Sequence, residues 1–150
     1  MANEQIVRIE SRLGPREVQL DQVLLFPRGI IGFERMRRFT LLQIRPEAAL
    51  LLLQSMEDPT LGLLVADPFA FIPDYSLNVG DHDQQLLEAK DVSELAVLVT
   101  ATIPPGKPEQ TALNLLGPIV LNHRARLGLQ IPQAEGSSPA RFFVHAVEQK

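Results

Sequence analysis

The sequence predicts a mainly β protein: a small antiparallel β-barrel-like or sandwich domain with one or two short helices. Three observations carry this. Several short segments alternate apolar and polar residues with the period of two that half-buried strands require. The 12 prolines and 9 glycines fall at short intervals along the 150 residues, where they act as turn signals. Helical signals are few.

The strand candidates follow in chain order: "IVRIE" (6–10), "EVQL" (17–20), "FTLLQI" (39–44) and "ALLLLQ" (49–54). The last is too short for a helix and reads as a buried strand. "LGLLVAD" (61–67) aligns Leu61, Leu63 and Val65 on one face. "LAVLVTATI" (95–103) places Leu95, Val97, Val99, Ala101 and Ile103 on one face, with Leu98 among the residues opposite, as in a central strand. "PIVLN" (118–122) and "LGLQI" (127–131) complete the set. The best helix is "DHDQQLLEAK" (81–90). Asp81 is the expected N-cap with Gln84 three residues on, Leu86 and Leu87 face the core, and Lys90 suits the C-terminal end of the dipole. "GFERMRR" (32–38) is expected to hold one helical turn that stacks Phe33 on Met36.

A domain of residues 1–132 is expected, followed by a linker at "PQAEGSSPA" (132–140) and a segment, "RFFVHAVEQK" (141–150), read as an added edge strand or tail. At 45% apolar and 21% charged residues the composition is that of an ordinary globular protein. No cysteine is present, which excludes disulfides and thiolate metal sites. No secretory signal opens the sequence, and the longest apolar run, Ala48 to Leu53, is far below the roughly 20 residues that span a bilayer. A cytoplasmic protein with no membrane partner is expected.

Formal net charge is −4. A nonspecific nucleic-acid binder is ordinarily basic, so the charge argues against direct nucleic-acid contact and suits a basic protein partner. The alternative reading, an RNA-binding module using the arginines of Arg28–Arg45 (Arg28, Arg35, Arg37, Arg38 and Arg45), lacks the interleaved aromatics of a single-strand binder.

Enzyme signatures are missing. There is no phosphate-binding glycine loop, no Gly-x-Gly-x-x-Gly and no nucleophile elbow. His82, His123 and His145 are widely separated and give no helical metal pair, and "GDHD" (80–83) reads as a helix start rather than a hydrolase site built from Asp81, His82 and Asp83. No catalytic residue, metal or cofactor is expected. Glu57 and Asp58 are adjacent, which is the wrong spacing for paired acid–base chemistry in a strand, and with Pro59 they make a turn.

Three of the eight aromatic residues, Phe69, Phe71 and Tyr75, lie in "ADPFAFIPDYSLNV" (66–79) among prolines and aspartates. Phe69 and Phe71 share a parity and are expected to plug the core. Asp74 and amphipathic Tyr75 are expected at an exposed tip.

Four stretches carry a family resemblance: "FPRGIIGFE" (26–34), "LQSMEDPTLGLLVADPFAFIPDY" (53–75), "TALNLLGPIVLN" (111–122) and "RARLGLQI" (124–131). In that order and spacing, over about residues 6–132, they resemble the flagellar assembly factor FliW family. The resemblance implies a small antiparallel β-barrel-like fold. It also implies a non-enzymatic, chaperone-like regulator that binds the translational regulator CsrA, relieves its repression of flagellin mRNA, and alternately binds flagellin. A monomer on its own is expected. The motif positions are Phe26, Pro27, Gly29, Gly32, Phe33, Asp58, Pro59, Asp67, Pro68, Phe69, Phe71, Pro73, Asp74, Tyr75, Asn114, Pro118 and Asn122, most of them read as turn-formers. Partner contacts are expected at Glu57, Asp58, Asp74, Tyr75 and Asn114. The stretch after Pro132 departs from the family pattern.

Overall fold

The computed structural model describes residues 5–134 and 140–144. His145 and most of the expected tail lie outside them. Among the described residues ten strands form: β1 (Ile6–Ser11), β2 (Gly14–Gln19), β3 (Leu24–Leu25), β4 (Arg38–Gln43), β5 (Leu51–Ser55), β6 (Gly62–Ala66), β7 (Ala96–Thr102), β8 (Ala112–Asn122), β9 (Leu127–Gln130) and β10 (Arg141–Phe143). Seven of them close into a barrel, running β8-β7-β6-β5-β4-β3-β9 and back to β8. All neighbours are antiparallel except β3 and β9, which meet in parallel through one pair, Leu25 and Leu127. Closure removes the open sheet edges that would otherwise invite foreign strands.

The alternation read in the sequence sorts side chains into the barrel and out of it. Phe39, Leu53, Val65, Leu98, Ile119 and Leu121 fill the interior around Phe26, whose ring meets Phe39 edge-on at 5.2 Å. Gly128 makes room for that ring: a Cβ there would stand 2.5 Å from Phe26 Cζ.

Three elements clad the outside. The β1–β2 ribbon lays Val7, Ile9 and Val18 on Leu42 and Leu52. Its turn is anchored by Gln54, a fully buried amide whose Oε1 accepts from Arg12 N–H at 3.0 Å. Gln54 Nε2 donates to the carbonyls of Ser55, Asp58 and Pro59, so the buried group is satisfied. The single α-helix among the described residues, α1 (Asp81–Leu86), covers Val120, Leu129 and Ile131 with Leu86 and Leu87. Its N-cap is Gly80 rather than Asp81, and the helix ends before Lys90 reaches its last turn. Gln84 instead donates through Nε2 to Val79 O. Acids at 81 and 83 still sit in the first turn, where the helix dipole favours them.

The third cover is the segment from Asp67 to Val79, which packs over Val99, Leu113 and Leu115. Asp67 Oδ1 accepts from Phe69 N–H at 2.9 Å and caps a short 3-10 turn over Pro68–Ala70. Here the sequence expectation is reversed for Tyr75 and Phe69 and holds for Asp74, which is exposed. Tyr75 is buried, at 6% exposure, and Phe69 is the exposed ring at 39%. Phe71 is half-buried and joins Tyr75 in the packing. Tyr75 goes inside because its hydroxyl finds a buried acceptor, Leu115 O at 2.8 Å, while Phe69 stacks edge-on against it from outside at 5.8 Å.

Residues 30–38 also differ from expectation. No helical turn stacks Phe33 on Met36; Ile30 and Phe33 pair across a tight turn at Ile31 and Gly32, and Phe33 is exposed. Gly29 sets the turn up. Its φ of +65° is left-handed, and a Cβ would come 2.5 Å from Glu34 O.

Candidate functional site

The nominated contact residues fall into two groups. Glu57 and Asp58 occupy the β5–β6 turn, where both N–H groups donate to Ser55 Oγ at 3.0 Å. Glu57 Oε1 accepts from the N–H groups of Arg37 and Arg38 at 2.8 and 3.3 Å, and Oε2 lies 3.8 Å from Arg38 Nε. Its carboxylate thus pins the entry of β4 to the β5–β6 turn. Asp58 Oδ1 accepts from Thr60 Oγ1 at 2.8 Å and Thr60 N–H at 2.9 Å. Those two bonds hold its carboxyl below the ordinary aspartate pKa, because they favour the charged form.

Tyr75 and Asn114 meet on β8. Tyr75 reaches the carbonyl of Leu115, next to Asn114, and burial raises the phenol above its usual pKa. Asn114 sits opposite Thr100 on β7 and Arg141 on β10, and its Nδ2 donates to Thr100 Oγ1 at 3.0 Å and Thr102 Oγ1 at 3.2 Å. Asp74 is exposed beside this pair. Asn114 and Tyr75 therefore brace the wall, and Asp74 is the member of this group that presents charge to solvent.

The remaining motif residues are mainly architectural. Pro118 stands near the break in β7–β8 register, where its missing N–H costs no ladder bond, and its carbonyl accepts from Ile131 N–H. Asn122 is buried; Nδ2 donates to Leu87 O at 2.8 Å while Oδ1 accepts from Arg124 N–H at 3.2 Å. That one amide ties the end of α1 to the β8–β9 turn. Pro27 and Pro73 lie in turn segments.

Two of the arginines of residues 28–45 are engaged by neighbouring side chains. Arg28 Nη2 lies 3.2 Å from His82 Nε2, and Nη1 lies 4.0 Å from Asp83 Oδ1, linking the Phe26–Phe33 segment to α1. Arg38 meets Glu57. His82 and Asp83 are thus engaged by an arginine, an arrangement that gives salt-dependent surface pairing rather than a metal cradle.

One concavity was not legible in the sequence. Outside the barrel, at the junction of β4, β3 and β9, a groove of about 390 Å³ is lined by Leu25, Arg38, Met56, Arg126 and Leu127, with Val23 on the β2–β3 connection. Its only foreshadowing is Leu25, which falls on the outward parity next to inward Leu24.

Comparison with known proteins carries the resemblance past Pro132, where the sequence suggested a departure from the family pattern. The family model described as FliW protein matches residues 8–143. The chain is 52% identical over 145 residues to a flagellar assembly factor FliW of Nitratidesulfovibrio vulgaris, covering 97% of this chain and 84% of the relative. It is 51% identical over 150 residues to the protein of that name in Desulfovibrio desulfuricans, covering 99% and 90%. A solved structure described as the crystal structure of the flagellar assembly factor FliW superposes with a TM-score of 0.83 at 28% identity, covering 91% of this chain and 96% of that one.

Proposed function

This chain belongs to the FliW family of flagellar assembly factors, and on that premise we propose that it works as a non-enzymatic partner switch in the cytoplasm. In this reading it binds CsrA and lifts the repression of flagellin mRNA, and it alternately binds flagellin. Unsecreted flagellin occupies the factor, CsrA is released, and flagellin synthesis falls.

The observation that carries the reading is the extent of the family match, residues 8–143, which takes in the entire barrel and all but the first two residues of its outer covers. The chemistry is compatible. Two partners sharing one small protein are coupled by mass action, so no catalytic group is needed. CsrA must be basic where it holds RNA, and a chain of net charge −4 is steered toward such a surface. Of the five nominated contacts, exposed Asp74 and Glu57 are the ones we retain. Tyr75, Asn114 and Asp58 act through the shape of the surface.

Titration calorimetry with purified CsrA and purified flagellin tests the proposal. Saturable binding of each, with flagellin lowering the apparent affinity for CsrA, is the expected result. Absence of heat with both partners at micromolar concentrations sinks it.

A further inference from the structure

The outer wall of the barrel is covered in three sectors, by the β1–β2 ribbon, the 67–79 segment and α1, and in a fourth, beside the ribbon that packs on Val23 and Met56, Leu25 is left exposed. In that fourth sector Arg38, Leu25 and Leu127 stand side by side across β4, β3 and β9, in register. They form the floor of the 390 Å³ groove, with Met56 and Val23 extending its apolar part and Arg126 at its far wall. Leu25 is 43% exposed, an unusual fate for a leucine in the middle of a sheet.

We infer that this groove docks an extended segment of a partner protein that carries a leucine-sized side chain with a carboxylate two residues away. The volume is within the range of small-ligand sites and takes an aliphatic side chain. Its two charged lining residues are both arginines, in a chain whose net charge is −4, so the groove is a local positive site on an acidic protein. Glu57 meets Arg38 at Nε, with Oε2 3.8 Å away. Arginine pairs with carboxylates through two parallel bonds, and in an extended chain residues two apart face the same way.

Arg126 ends the β8–β9 turn beside the groove. Its backbone φ is +59°, the left-handed region where glycine or asparagine is the ordinary occupant. An arginine is held there, with Nη1 3.5 Å from Leu20 O across the groove wall. The two arginines favour an acidic segment over a basic, RNA-holding surface, and Glu57, paired with Arg38, stands at the border between this groove and the carboxylates that attract a basic partner. The inference rests on reading the chain as a protein-binding factor.

The test is an amide-shift NMR titration with a capped seven-residue peptide: one central leucine, aspartates two residues to each side, and alanine elsewhere. Saturable shifts confined to residues 20–25, 38, 56 and 125–127 are expected. Replacing the aspartates by lysine removes them, Leu25→Asp abolishes binding, and Arg126→Gly weakens it about tenfold or more. Arg126→Gly suits the backbone and holds or raises the melting temperature, so its loss of binding is not a loss of fold. Shifts elsewhere, equal response to both peptides, or undiminished binding by Arg126→Gly overturns the inference. Both variants are also titrated with CsrA and flagellin. Peptide binding without either partner leaves the groove standing and removes the partner switch. Partner binding by wild type and both variants alike, with no peptide response, does the reverse.

Discussion

Removing Tyr75 separates two roles, the exposed contact expected from the sequence and the core member seen in the fold. The ring is buried among Leu113, Leu115, Val99 and Leu50, and its hydroxyl donates to Leu115 O at 2.8 Å. Tyr75→Phe keeps the packing and strips the donor, leaving a buried carbonyl short of its partner, which costs about 1–2 kcal/mol. Tyr75→Ala removes the ring as well and costs about 3–5 kcal/mol, since the surrounding strands cannot collapse into the space. At about 2–4 °C per kcal/mol for a chain of this size, the melting temperature falls by roughly 2–8 °C for phenylalanine and by more than about 6 °C for alanine. Urea denaturation, read as a midpoint shift at constant slope, is the direct assay. The raised phenol pKa gives a matching pH signature. The neutral form is favoured by folding, so its contribution is complete below the ordinary tyrosine pKa of 10.0 and is lost as pH climbs through the higher folded value. Tyr75→Phe removes that alkaline loss. A Tyr75→Ala protein with unchanged melting temperature and lost partner binding refutes the whole argument.

Three further outcomes follow from the same geometry. Gly128→Ala drives a Cβ to 2.5 Å from Phe26 Cζ and 2.9 Å from Leu121 Cδ2, and thermal melting should show about 2–3 kcal/mol of overpacking loss. Gln54→Leu leaves Arg12 N–H and three carbonyls without their amide partner; about 2–3 kcal/mol is lost, and hydrogen exchange rises selectively over residues 6–19 as the ribbon loosens. Asp58 is held charged by Thr60, so its contribution is complete above the ordinary aspartate pKa of 3.8 and disappears as pH falls through the lower folded value. Asp58→Asn removes this acid-side dependence while leaving alkaline behaviour untouched, which a stability series across pH 2–5 would show.

Legibility of the fold followed local periodicity. β6 and β7 were readable because alternate residues share one packing face: Leu61, Leu63 and Val65 pack in the barrel, and Val97, Val99 and Ala101 pack under its outer cover. β8 was read only from Pro118 onward. Gly117 and Pro118 look like an ending, yet they sit where β8 kinks and trades one neighbour for another, β10 over Ala112–Asn114 and β9 over Ile119–Asn122. β3 is two residues long and carries no period at all.

The site was harder, for a physical reason. Whether Tyr75 faces in or out depends on an acceptor 40 residues away, Leu115 O, which local sequence does not display. The groove is worse hidden, because Arg38, Leu25 and Leu127 become neighbours only when the barrel closes. Glu57 and Asp58 were visible as a turn, but the amide and hydroxyl donors that occupy their oxygens were not.

The closure itself has a kinetic consequence. β4 to β6 are joined by short turns and can zip together early, whereas the Leu25–Leu127 pair spans most of the chain and carries the largest loop-closure entropy. The last stave of the barrel is therefore also the first to come loose. Substitutions at Leu25 or Leu127 act on the unfolding rate and barely touch the folding rate. A peptide lying across that pair would bridge both sides of the joint, lengthening the lifetime of the closed barrel and turning occupancy into resistance to proteolysis.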